Sequence, residues 1–356
     1  MVIQKLPKSR FKLGRDKGCE FLKSQLNADG SFGLPERGLA DYYKVPLALM
    51  VSGASAEANR LFQWIRNNGQ TPEGDFGPRP EETVGYPYIY YNIWVIIGAH
   101  RQGHFDLSQK GMDFVLQFYD ADSGGFYSSA TERNAGVLQD LWVVSGGGQA
   151  ALYTGRLKES LGVGRWMKKL MDLQPNYPKQ LYSVYSRAVG LHLQYASQEE
   201  SRLQLNANAE RDEYFFHPGI AAGFLANLFK ATRDTKWLGL AEDYMLLSEI
   251  ASDFYFSSLR AGKVGWAASN LYTLTGKTKY AEIAARVGDN LLALQNEQGA
   301  WEFGQMSSND ATAEMVIWLE GELYMVLLDR TFAILRSKLT SWRFFCLLYT
   351  SDAADE

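Results

Sequence analysis

Apolar residues recur along this chain with helical spacing, and two kinds of helix alternate. One kind is rich in Ala, Gly and aromatics and poor in charge: Asp41–Ser52, Thr83–His100, Asn134–Tyr153, Tyr214–Ala231, Ser258–Thr275 and Asp310–Leu328. Helices of that composition are covered on both sides. The other kind mixes Lys, Glu and Arg with a single apolar stripe: Phe11–Leu26, Ala54–Asn68, Leu107–Tyr119, Val163–Leu173, Trp237–Ser248 and Lys277–Gln295. The alternation predicts an inner and an outer ring of helices.

The connections repeat as well. Four segments share a helix ending in Gln, a short polar loop and a Gly-x-aromatic step: Gly18–Gly33, Asn67–Gly77, Gly111–Phe126 and Gly288–Gly304. A second turn, with Thr-Gly or a similar polar pair after an aromatic, opens at Leu152, Leu228 and Leu271. Glycine after a helix is a stop signal. A repeat of this kind predicts an all-α, (α/α)6 double barrel, a toroid of about six helix pairs. One domain is expected over 1–345. Gln174–Arg211, with Pro175 and Pro178, reads as an irregular insertion carrying a short helix near Val184–Gln194 and an exposed polar run.

Composition adds limits. With 356 residues, 46% hydrophobic and 21% charged, the chain can bury a large core. A net charge of −4 without a basic block argues against a nucleic-acid partner. No apolar run reaches the ~20 residues of a membrane span, and the start lacks a secretory signal, so a cytoplasmic location is expected. The two cysteines, Cys19 and Cys346, make neither a disulfide framework nor a thiolate metal site. Residues 346–356 resemble a translated sequencing adaptor and are read as a non-native tail.

Gly288, Leu291, Leu292, Gln295, Gly299 and Trp301 resemble the QW motif of squalene and hopene cyclases. The resemblance implies a terpenoid cyclase/prenyltransferase-type toroid, similar to a single-domain class II terpene cyclase. It also implies an acid at the start of an inner helix. SSNDATAEMVIWL, Ser307–Leu319, is the matching stretch, with Asp310 at a cap-like position and Glu314 one turn later. That family's motif has more aspartates than this one. A close carboxylate pair can share a proton and supply an acid. His217, before Pro218, is a third catalytic candidate. The zinc pattern of the protein prenyltransferases is missing from the sequence.

Other polar features read as structure. His100 and His104 lack a third ligand, and His192 reads as core or loop. Asp120 and Asp122 read as turn residues, and Ser145–Gln149 as a close helix contact.

Aromatics make up 13% of the chain and cluster at inner-helix starts. Tyr42, Tyr86, Tyr90, Trp94, Trp142, Phe216, Trp266 and Trp318, with Asn309, are the expected substrate-binding set. Such a wall stabilises carbocations, holds a polyene or stacks on sugars. The expected reaction is therefore proton-initiated, metal- and cofactor-free cyclisation of a hydrophobic isoprenoid or polyene, with transient membrane association for substrate uptake. A cofactor-free pericyclase (Diels–Alderase) is the first alternative. A carbohydrate-active epimerase, hydrolase or lyase is the second, with carboxylates available at Asp41, Glu82, Asp140 and Glu314.

Overall fold

The computed structural model describes residues 10–304 and 307–320. Outer helices are α1 (Arg10–Ser24), α4 (Ser55–Trp64), α6 (Phe105–Val115), α8 (Leu157–Asp172), α10 (Thr235–Glu249) and α13 (Thr278–Ala293). The inner ring comprises α2 (Gly38–Tyr42) with α3 (Val45–Val51), α5 (Tyr88–Arg101), α7 (Leu141–Tyr153), α9 (His217–Thr232), α12 (Gly262–Thr275) and α14 (308–320). A short helix, α11 (Asp253–Ser257), precedes α12. Neighbouring inner helices pack in chain order from α3 to α12, and each is backed by the outer helix that follows it. Trp318 on α14 lies against Gly262 of α12, and Lys44 before α3 reaches Asp310 on α14, so the ring closes. The expected double ring is present. Residues 321–356, which include the end of the predicted Asp310–Leu328 helix and the adaptor-like tail, lie outside the described residues.

The repeated loops have one physical job. Gly30, Gly74, Gly124 and Gly299 all adopt positive φ. A Cβ on any of them would approach a backbone oxygen of an outer helix, at Arg60, Lys110, Gly162 and Lys17 respectively. Glycine is needed both for the conformation and for the approach. The aromatic two residues on is buried in each case. Gln295 donates to the carbonyls of Gly14 and Gly299 at 2.9 and 2.8 Å, and Trp301 Nε1 donates to Leu291 O at 2.7 Å. Helix ends that would otherwise leave polar groups unpaired are thereby stitched to their neighbours.

Four inner helices, α5, α7, α9 and α12, begin later than the hydrophobic pattern indicates, and the first is broken in two. Asp41–Ser52 is broken because Pro46 cannot donate to the carbonyl four residues earlier, leaving Tyr43 and Lys44 in the joint. Pro87 delays α5, and Asp140 caps α7 by accepting from Trp142 N. The residues so displaced form the rim of the barrel.

The predicted helix at Val184–Gln194 is a correction. Its residues form β3 (Val184–Ser186) and β4 (Gly190–Leu191), joined by a turn with Gly190 at φ 87°. Aromatic and β-branched residues, fully buried at Val184–Ser186, fit a strand. With β1 (Gln139–Asp140) they make an antiparallel sheet, β1-β3-β4, while β2 (Gln180–Tyr182) pairs with β5 (Gln204–Asn206). The insertion is not simply exposed: Leu203 and Leu205 are buried, and Glu199 and Arg202 reach the barrel's cavity.

Candidate active site

The mouth of the ring opens into a cavity of about 850 Å³. Its floor is ionic. Lys44 Nζ donates to Asp310 Oδ1 at 2.7 Å and also to Glu314 Oε2. Lys263 Nζ donates to Glu314 Oε1, which accepts Trp318 Nε1 at 3.2 Å as well. Lys44 is 1% exposed and Lys263 3%. Two ammonium groups and two carboxylates thus share one nearly dry site.

Helix α14 supplies both acids one turn apart, on one face. Asp310 is not the cap: Ser307 Oγ accepts from Asn309 N at 3.1 Å and Ser307 O from Ala311 N, so Asp310 lies inside the first turn with its carboxylate turned to Lys44. Environment drives the two acids apart. Burial pushes Asp310 above the usual carboxylate range; Lys44 opposes this, and the charge of Glu314 adds to it. Burial would push Glu314 up too, but Lys263 and Lys44 outweigh it and hold it well below that range. For Lys44, burial favours the neutral amine, and the two carboxylates overcome it and keep the ammonium.

Aromatic rings form the walls. Tyr43 packs edge-on against Tyr91 at 4.8 Å, Tyr90 against Trp142 at 4.7 Å, and Trp142 tilts on Phe216 at 5.2 Å. Tyr90 Oη and Trp142 Nε1 are buried without a hydrogen-bond partner among the described residues. At the mouth, Arg202 and Asp212 from the insertion and its exit meet Arg260, with the Tyr214 ring between the two guanidiniums at 4.8 and 4.9 Å.

Of the residues expected to line the site, Asp310, Glu314, Tyr90, Trp142 and Phe216 do so. His217 does not. It is fully buried, with Nε2 at 3.0 Å from Asp140 Oδ1 and Nδ1 at 2.9 Å from Tyr214 O. Pro218 starts the helix, and the ring is turned back into the rim packing instead of the cavity. Tyr86 donates to Asp140 Oδ2 at 2.9 Å, in the same buried network. Tyr42 donates to Gly77 O at 2.6 Å and packs on Trp64, facing outward. Trp94 and Trp266 support Trp318 from behind, 5.6 and 5.3 Å from its ring, and Trp318 itself touches the site through Nε1. Asn309 donates to Asp41 in a separate polar cleft, where Arg37 bonds both Asp41 and Glu82. Asp41, Glu82 and Asp140 are therefore not partners of Glu314.

His100 bonds Ser108, His104 meets Arg66 and Asn59, and His192 meets Ser186. Asp120 is occupied by Ser123, Gln139 and Arg187. Among the described residues, no group of three or more His, Cys, Asp or Glu side chains is placed to hold a metal, and no helix is long and apolar enough to cross a membrane.

Lys44 and Lys263 were absent from the sequence-based set. Their signal is a lysine inside an otherwise apolar inner segment, KVPLALM and GKVGWAA. Arg202, Asp212 and Arg260 left no comparable trace.

No family model and no curated protein matches the sequence. Solved structures do. A D-mannose isomerase superposes with TM-score 0.66 at 13% identity, over 91% of this chain and 100% of its own. A GH76 α-mannanase from Bacteroides thetaiotaomicron gives 0.61 at 13%, over 90% and 98%. The fold is an α/α toroid. An unsaturated glucuronyl hydrolase specific for heparin gives 0.59 at 11%, over 88% and 97%. At these identities the toroid likeness is one of architecture, and the chemistry has to be argued from the site.

Proposed function

We propose that this toroid is a carbohydrate-active enzyme that uses Asp310 as a general acid and Glu314 as the fixed negative charge beside it, in the cleavage of a glycosidic bond. The observation that carries the reading is the opposite displacement of two carboxylates joined by one ammonium, Lys44. Titratable pairs driven apart by their surroundings divide acid from anion in acid–base catalysis. In this reading Asp310 gives a proton to the glycosidic oxygen as the C–O bond breaks, water adds to the anomeric carbon, and the proton that water loses returns to the Asp310 carboxylate. Glu314 stabilises the positive charge that grows on the sugar ring. Tyr90, Tyr91, Trp142 and Phe216 offer faces for sugar rings. The names of the structural neighbours, a mannanase, a mannose isomerase and a glucuronyl hydrolase, support the substrate class.

Proton-initiated terpene cyclisation fits this site less well. Lys44, Lys263, Arg202 and Arg260 line the cavity together with four carboxylates, a charged lining that an apolar polyene would desolvate without compensation. An alkene also demands a stronger acid than a carboxyl of raised pKa. A pericyclase would leave the buried ion network without a role, since such networks are weak evidence for stability.

The test is turnover against a panel of glycosides, following new reducing ends, for the wild type and Asp310→Asn. Release by the wild type that falls roughly 10²–10⁴-fold in the variant is expected. Inertness toward all sugars, together with a deuterium-labelled ring product from a polyprenyl substrate in D₂O, would overturn the reading in favour of the cyclase.

A further inference from the structure

The cavity is polar at two levels, and the upper one is only half satisfied. Arg260 lies between the rings of Tyr214 and Phe303, at 4.9 and 4.8 Å, in the short turn before α12. Its Nε faces Asp212, with both oxygens at 3.1 Å. Asp212 is shared, because Arg202 bonds it too, and Arg202 spends its other terminal nitrogen on Glu199. Arg260 alone keeps both terminal nitrogens without a hydrogen bond to any described residue. Burial lowers its affinity for its proton despite Asp212, and the side chain stays partly open to solvent.

Among the described residues, four cations line the cavity, Lys44, Lys263, Arg202 and Arg260, against the carboxylates Glu199, Asp212, Asp310 and Glu314. Lys44 and Lys263 are spent on Asp310 and Glu314 in the floor. The partly exposed fork of Arg260 is the cation placed to take a further anion.

We propose that the sugar this site takes is anionic, a carboxylate-bearing hexuronic acid residue whose carboxylate is held by the terminal nitrogens of Arg260, with Tyr214 and Phe303 fixing the plane of the guanidinium. A planar fork matches a carboxylate bidentately and is not replaced by an ammonium. Stacking on two rings removes the side-chain freedom that binding would otherwise have to freeze. This inference rests on the carbohydrate reading and narrows it to a substrate class.

The experiment compares binding of methyl glucuronide and methyl glucoside, and of their disaccharides, by calorimetry on the intact protein. The uronide is expected to bind about tenfold or more tightly than the neutral sugar, the worth of one charge-assisted bidentate contact. Raising NaCl from about 0.05 to 0.5 M should shrink that preference severalfold, because the mouth is partly open to solvent. Arg260→Gln should collapse the preference, with the neutral sugar losing less than about threefold, and Arg260→Lys should restore only part of it. Circular dichroism of each variant checks folding. If Arg260→Gln does not fold, the salt dependence of the wild-type preference decides alone. Equal binding of charged and neutral sugars, a preference insensitive to salt, or equal losses for both sugars in Arg260→Gln would overturn the anionic subsite and leave the carbohydrate reading intact. Binding of neither sugar would overturn both.

Discussion

Lys44 and Glu314 are 270 positions apart, and their contact fastens the first inner helix of the ring to the last described one. The same ammonium reaches Asp310. Closure of the toroid and the chemistry of its floor therefore depend on one lysine. Buried ion pairs of this kind add little net stability, but losing one partner strands the other charge. Lys44→Met should destabilise the protein by about 3–5 kcal/mol, while Lys44→Met combined with Asp310→Asn, which leaves Glu314 paired with Lys263, should recover much of the loss. Urea unfolding of the single and double variants checks it. Equal stability of Lys44→Met and wild type would mean that the lysine is not ion-paired in solution.

The two acids give opposite pH signatures. Glu314 has a depressed folded pKa, so its stabilisation is present above its unfolded value and is lost as pH falls through the folded one. Asp310 has a raised folded pKa, so its contribution is present below its unfolded value and is lost as pH rises through the folded one. Asp310→Asn should therefore flatten the alkaline side of the stability curve, and Glu314→Gln the acidic side. Activity should follow the same pair: an acid limb below the usual carboxylate range from Glu314 and an alkaline limb above it from Asp310. Rate profiles of wild type and both variants read this. An alkaline limb that persists in Asp310→Asn would remove Asp310 from the acid role.

Legibility in the sequence divided along the range of the interactions. Gly30, Gly74, Gly124 and Gly299 act through a local turn and one neighbouring helix, so their spacing announced the ring. Asp310 was visible through the resemblance of Ser307–Leu319 to the cyclase Asp motif, and Glu314 because a carboxylate one turn later in an apolar run needs a reason. Lys44 and Lys263 were not, since a lysine beside Pro46 or Gly262 reads as solvated until its partners are known. Those partners lie 266 and 270 residues from Lys44 and 51 from Lys263. The strands of Val184–Leu191 were misread as helix because a three-residue strand gives too few positions for its period to show. The aromatics at helix starts were assigned to one cavity wall, whereas Pro46, Pro87 and Asp140 shift the true starts and send Tyr42 and Tyr86 elsewhere.

Tyr90 separates stability from binding. Its hydroxyl is buried at the cavity wall and unpaired among the described residues. Tyr90→Phe removes an unsatisfied polar atom and should raise the stability of the ligand-free protein by up to about 1 kcal/mol. The same change should leave sugar binding within about twofold, because the ring that faces the cavity is kept and the hydroxyl is closed off from it. Thermal unfolding with and without ligand measures both. A variant that loses stability would show that the hydroxyl has a partner in solution.

His217 and Asp140 should behave as structure. Asp140 accepts from Tyr86 Oη, His217 and Trp142 N, and all of this is sealed from the cavity. Asp140→Ala would orphan buried groups and should cost about 3 kcal/mol or more. His217→Gln, which keeps a polar group near Asp140, should cost about 1–2 kcal/mol yet leave the turnover of folded protein within about threefold of wild type. A loss of turnover comparable to that of Asp310→Asn, at unchanged stability, would return His217 to the catalytic set.

The repeated loop glycines offer a test of the architecture that is independent of function. Gly124 has φ 85°, and a Cβ there would come within 2.4 Å of Gly162 O on α8. Gly276, at the end of α12, has φ 68° but open space where a Cβ would go. Alanine at 276 meets only the left-handed backbone penalty, about 1 kcal/mol. Alanine at 124 meets that penalty and must also push a loop away from an outer helix, through backbone that cannot rotate aside. Gly124→Ala should therefore cost at least about 1–2 kcal/mol more than Gly276→Ala. Chemical denaturation of the two variants side by side gives the difference. Equal costs would mean that the loop does not press on α8, and the stitching role assigned to the four Gly-x-aromatic turns would fall with it.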